Sequence, residues 1–250
     1  MPNMVMNEKT FEETLQTDAA PDNSRMTVNG TFAKTAILLG VLVVPAAVIW
    51  NLYFKSGRSV EAVMPYMMGG VLGGLVLCLV TCFKKDWAAF TSVPYAICEG
   101  LFLGGLSAIL DHRYPGIAIQ AVGLTFCIFT VMLILYMTRI LQATPLFVKA
   151  VVACTLGIAL LYVASMLLGA FTGSPIPYIH ESGAVGIGFS LFVVAIAGFN
   201  LVLDFALIEG GSEQGAPKYM EWYGAFALMV TLVWLYVEVL RLLAKLRGRN

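Results

Sequence analysis

Charge is what this sequence has least of. Only 12% of its 250 residues are Asp, Glu, Lys or Arg, about half the ~25% of a soluble domain. So few charges cannot cover a water-facing globule of this length. The charge is also balanced, with 15 basic and 15 acidic residues, so there is no basic footprint for nucleic acid. Histidine is scarce: His112 and His180 are the two, both expected in loops and neither within an HExxH motif. No GxSxG nucleophile elbow and no GxxxxGK[ST] phosphate loop occurs. Intramembrane aspartyl proteolysis needs two facing aspartates, and Asp204 is the only aspartate inside an apolar stretch. The expectation is a protein that is not an enzyme and needs no cofactor.

The five cysteines, Cys78, Cys82, Cys98, Cys127 and Cys154, lie within or at the end of apolar segments rather than in loops. That argues against a disulfide framework and for packing as small hydrophobes. No metal site is expected. Residues 1–31 form a polar tail with Glu8, Glu12, Glu13, Asp18 and Asp22 and no apolar core, so a cleaved signal peptide is not expected. The tail reads as disordered, with the first membrane helix as the insertion signal.

What the chain has instead is apolar length. Hydrophobic residues make up 59% of it, and the mean hydropathy is +0.84. A hydrocarbon core of ~30 Å takes ~20 apolar residues per helix. Seven continuous runs meet that length: 32–54, 64–83, 88–110, 117–137, 146–171, 184–208 and 222–243. Continuous runs exclude a β-barrel, whose strands alternate over about ten residues. The fold class is therefore an all-α integral membrane protein, a seven-helix bundle over 32–244. A basic tail, 245–250, carries Lys245, Arg247 and Arg249.

Orientation follows from the basic residues. A cytoplasmic N-terminus places Lys9, Arg25, Lys34, Lys84, Lys85, Arg139, Lys149 and Lys218 on that side. Lys55, Arg58, Arg113, Arg241, Lys245, Arg247 and Arg249 fall on the other. Eight against seven does not decide. Without the four at the C-terminal end it is eight against three, and the first helices usually dominate. Helix 2 carries Gly69, Gly70, Gly73 and Gly74, and helix 3 Gly100 and Gly104. Such residues let backbones approach closely where lipid supplies no hydrophobic drive. A tight bundle within the chain is the first reading and a dimer face the second. Pro45 and Pro94 interrupt helices 1 and 3; each is read first as a kink and second as part of a pathway.

Ionisable groups inside a membrane are expensive and mark function. Glu99, Asp204 and Glu238 lie within apolar runs. Asn200 precedes Asp204 by four residues and so shares its helix face. A carboxylate and an amide oxygen there could hold a cation or a proton, or could bond a neighbouring helix silently. Glu238 has Arg241 three residues on, at salt-bridge spacing, which favours a structural role.

The segment from Asn200 through Asp204 and Glu209 to Gly210-Gly211 resembles the sixth-helix signature of the Bax inhibitor-1 family, in its YccA-like bacterial branch. Glu99-Gly-Leu-Phe-Leu-Gly104 resembles another family segment, and Tyr219 to Leu243 resembles the closing helix. The likeness spans roughly 32–244. It implies a seven-helix protein of the bacterial inner membrane that acts as a pH-sensitive calcium or proton leak. The other implied role is that of a non-conducting regulator of a membrane protease or another membrane protein. It also implies an aspartate pair on the last two helices as the pH sensor. The first falls on Asp204; for the second, Thr231 and Glu238 are alternative positions. By height in a hairpin, Glu221 is the better partner for Asp204. Helices 2 and 3 have no basic residue within their apolar runs, so the arginine latch implied for Asp204 is not visible there.

Overall fold

The computed structural model describes residues 25–172 and 183–248. The expected disorder of 1–24, the loop with Gly173, Pro175 and Pro177, and His180 lie outside the described residues. The seven helices are α1 (Val28–Lys55), α2 (Val60–Phe83), α3 (Ala88–Arg113), α4 (Ile117–Met137), α5 (Pro145–Thr172), α6 (Ala184–Glu213) and α7 (Met220–Arg247). A single 3₁₀ turn, Lys85–Trp87, joins α2 to α3. All seven are long and apolar enough to cross a membrane.

Most helices outrun their apolar cores. α1 starts at Val28, behind an N-cap in which the Thr27 side chain accepts from Gly30 N–H. The boundary at 31 therefore moves: Met26 is buried and its N–H bonds Ala216 O at 2.7 Å, so residues from Arg25 on belong to the bundle. The tail expected at 245 is helical to Arg247, and Lys245 is buried, donating to Gly186 O at 3.0 Å and Ser190 Oγ at 2.8 Å. His112 lies in the last turn of α3 rather than in a loop. Gly210 and Gly211 are helical as well; the turn comes at Gly215, where φ is +72°. The physical reason is common to these shifts. Hydropathy reports the depth of the hydrocarbon, whereas a helix can continue through the headgroup zone with polar side chains.

Exposure separates the helices into a centre and a rim. Within the most apolar window, 67% of α6 and 56% of α7 is buried, against 22% for each of α1, α2, α4 and α5. α6 and α7 therefore form the core, and the others present Leu, Val and Phe outwards to lipid. Helix contact is tightest between α1 and α3 and between α2 and α3. Glycine makes this possible. A Cβ on Gly100 would run into Leu42 O, and one on Gly104 into Ala46 O. Gly70 and Gly74 face Cys98 and Glu99 of α3 in the same way, whereas a Cβ on Gly69 meets nothing within 4 Å. Gly73 likewise faces Cys98, so five of these six glycines lie at contacts between the bundle's own helices. Pro45 sits in this seam, its ring against Gly100.

Gly100→Leu should accordingly destabilise the protein by about 1–3 kcal/mol or more, the usual cost of overpacking. Gly69→Ala should leave stability unchanged or slightly raised, since it adds helix propensity in open space. Thermal unfolding of the two variants in detergent separates them, and equal losses would contradict the assignment of Gly100 to the seam.

Candidate functional site

Asp204 and Asn200 lie one turn apart on α6, and both are buried, at 0% and 2% exposure. The Asn200 amide donates to Thr155 Oγ1 at 2.8 Å and Ile196 O at 2.9 Å. It thus ties α6 to α5. Phe205, beside Asp204, packs its ring with Phe32, Phe129 and Tyr136, at centroid distances of 6.1, 5.6 and 5.8 Å. These rings join α1, α4 and α6 next to Asp204.

Register fixes how far Asp204 lies from the N-terminal end of the bundle. A Cβ on Gly224 of α7 would meet the Ile208 side chain of α6 at 3.4 Å, so these two residues are level. Asp204 lies one turn deeper than Ile208, about 6 Å at 1.5 Å per residue. Glu221 lies three residues shallower than Gly224, about 4.5 Å on the same measure. The pairing expected from height therefore places the two acids about 10 Å apart in depth, and Glu221 is engaged elsewhere.

Glu221 is the polar hub of that end. Its carboxylate accepts from Thr27 N–H at 2.9 Å, from Thr27 Oγ1 at 2.8 Å, from Lys218 Nζ at 2.9 Å and from Lys34 Nζ. The Lys34 ammonium also lies 5.5 Å from the Trp222 ring centroid. Gly30 leaves room for this carboxylate, which a Cβ there would displace. One acid on α7 thus clamps the start of α1, and Ser212 Oγ of α6 donates to Met26 O at 3.2 Å beside it.

Two further ties complete the same end. Glu209 of α6 accepts from Tyr136 Oη of α4 and from Arg139 at 2.7 Å. Tyr219 lies beside Asp86 of the α2–α3 connection; burial and that carboxylate push its phenol up to about 12, so it stays neutral. The N-terminal end beyond Asp204 is thus laced by acid-centred bonds from α6 and α7 to α1 and to the end of α4.

The remaining candidates stand apart. Glu99 on α3 lies against Gly74 of α2, with Tyr95 one turn earlier on the same helix face. Tyr95 in turn packs edge-on against Phe226 of α7, 4.8 Å between centroids. Glu99 thus sits at the α2–α3 seam. Glu238 is near the opposite end of α7, where it makes the expected pair with Arg241 at 2.9 Å. Tyr162 Oη of α5 also donates to Glu238, at 3.0 Å. Thr231, the other position for a second sensor, is buried, with its hydroxyl donating to Ala227 O at 3.3 Å. The five acids and amides do not form one cluster. Among the described residues, no group of three or more His, Cys, Asp or Glu side chains could hold a metal ion.

Sequence reasoning passed over Lys34, Thr27, Lys218 and Tyr136. Lys34 was the legible one: a lysine seven residues into α1 needs an acid at the same depth. The Thr27 and Tyr136 contacts join segments more than 70 residues apart, for which local spacing holds no signal.

Glu221→Gln should cost about 1.5–3 kcal/mol, the range for hydrogen bonds to a charged group. Lys218→Gln should cost under about 1 kcal/mol, because its side chain is half exposed and the pair is screened. Denaturation of both variants in detergent tests this ranking; a Lys218 variant as damaged as the Glu221 variant would contradict the hub.

Comparison with known families gives one match: a model described as Bax inhibitor 1 like covers residues 3–248. Comparisons with curated proteins and with solved structures give no match. The matched region takes in all seven helices together with the Asn200–Asp204 turn and the Glu221 hub, and the chain belongs to the Bax inhibitor 1 like family.

Proposed function

We propose that this multi-pass membrane protein is a pH-sensitive cation leak, passing calcium or protons, in which protonation of Asp204 biases the N-terminal end of the bundle between closed and open arrangements. The observation that carries this reading is a carboxyl group at 0% exposure on the central helix α6, one turn from a buried amide and inward of a closure built from side-chain bonds. An ionisable residue kept at membrane depth is expensive, and a silent helix–helix contact could be made by a neutral side chain.

The closure supplies the element that can have two states. Its ties from Glu221 to Thr27, Lys34 and Lys218, and from Glu209 to Tyr136 and Arg139, are polar and lie at one end. They can exchange for water without unpacking the apolar α6–α7 core. A proton shifts such an equilibrium only if the two states bind it differently. Asp204 meets that condition if opening brings water to its carboxyl. Acidification then changes the population of open protein, with more leak at lower pH expected. We further propose that the protein sits in the bacterial inner membrane with the Glu221 end towards the cytoplasm, as the loop lysines and arginines favour.

Reconstitution into liposomes loaded with a calcium dye tests the reading. Release should exceed that from empty liposomes and rise as the pH falls from neutral to mildly acidic. Asp204→Asn keeps the shape but cannot titrate, so it should lose most of that pH dependence. An Asn variant with the parent's pH profile would make Asp204 structural. Release equal to that of empty liposomes at every pH would leave the non-conducting regulator of a membrane protease or other membrane protein as the function.

A further inference from the structure

A second feature lies on the opposite half of the bundle, away from Asp204. α1 and α4 flank a lateral groove whose floor is α3 and α7, with a volume of about 500 Å³. Its walls are apolar, with Ala47 and Trp50 on α1 and Ala118 and Ile119 on α4. Ile119 is 72% exposed, so the groove opens sideways. The polar atoms of its floor are satisfied internally: Ser107 Oγ and Tyr236 Oη are hydrogen-bonded at 2.7 Å. An opening of this kind at membrane depth meets lipid tails, not water.

Two cations lie next to one end of it, where the single nearby acid, Asp111, is already taken up by Gly116 and Ala118 N–H at 3.0 and 3.3 Å. Asn51 lines the groove on α1, and Lys55, one turn further on, shares its face. On the other side Arg247 of α7 reaches across to the α3–α4 connection and the first turn of α4, donating to Pro115 O at 2.8 Å and Gln120 Oε1 at 2.7 Å. Both acceptors are neutral, and among the described residues no ion pair involves Lys55 or Arg247. α1 is 28 residues long, about 42 Å at 1.5 Å per residue, which exceeds a hydrocarbon core of ~30 Å. Its last turn therefore projects into the headgroup zone, where a phosphate would lie.

We propose that this groove takes one acyl chain of an anionic phospholipid, with its phosphate between Lys55 and Arg247. Size selects a chain over a partner helix. A helix ~10 Å across needs roughly 1,200 Å³ for even a 15 Å length, more than twice the space. Charge selects the headgroup, since a zwitterionic lipid brings no net charge to the two cations.

Trp50 provides the probe. The protein is reconstituted in phosphatidylcholine bilayers containing phosphatidylglycerol, with bromine on the acyl chains of one lipid or the other. The contribution of Trp50 is taken as the difference between the parent and Trp50→Phe. Quenching should report about five-fold enrichment of phosphatidylglycerol over its bulk fraction, the preference expected from one interfacial cation, or more. Lys55→Gln with Arg247→Gln should return it to the bulk fraction. Ala47→Phe, which fills the groove, should abolish the enrichment with both cations in place. Lys55→Gln alone keeps the experiment decisive if loss of the Arg247 bonds unfolds α7, because Lys55 is exposed; circular dichroism checks helix content. Quenching in proportion to bulk composition in the parent would overturn the proposal. So would enrichment that survives Ala47→Phe, since the cations would then gather lipid at the surface without the groove.

Discussion

Lipid tails are as apolar as leucine, so helices in a bilayer gain nothing by hiding apolar surface from one another. Everything that holds this bundle together must come from close backbone approach and from polar bonds between helices. The two devices are divided in space. Glycines 70, 73, 74, 100 and 104 let α3 press against α1 and α2. Glu221 and Ser212 join the N-terminal ends of α1 and α7 and the C-terminal end of α6, and Glu209 ties α6 to the C-terminal end of α4. A seam of van der Waals contact is fixed in its geometry, whereas a set of hydrogen bonds near the interface can be traded for water. The fold thus has a permanent part and an exchangeable part.

The position of α6 gives this division its functional sense. A helix surrounded by protein can carry Asn200 and Asp204 where a rim helix could not, because an acid facing lipid would have no donor to meet. The same helix carries Glu209 and Ser212 into the polar end. Asp204 is thus linked, through two turns of one helix, to the polar bonds at that end of the bundle.

Much of the fold was legible in the sequence because bilayer thickness imposes a length on apolar runs, and seven runs of that length cannot be hidden. Their ends were less legible. Val28–Thr31 and Lys245–Arg247 are helical although polar residues interrupt the hydropathy there, since helix formation does not stop where hydrocarbon does. Glu238 with Arg241 was readable from a spacing of three. The Glu221 hub was not, because its partners come from residues 27, 34 and 218, and only packing of α1 beside α7 brings the first two to it. Height alone suggested Glu221 as the companion of Asp204; the Gly224–Ile208 register places it shallower, occupied by lysines. The lateral groove had no sequence signal at all, since it is made by the space between α1 and α4.

The central claim is that Asp204 itself gains and loses a proton within the folded bundle. Infrared difference spectra of the reconstituted protein, recorded as the pH is stepped and compared with Asp204→Asn, measure this at the carboxyl group. The account predicts a protonated-carboxyl C=O stretching band that grows on acidification in the parent and is missing from the variant. Identical difference spectra for the two proteins would contradict it.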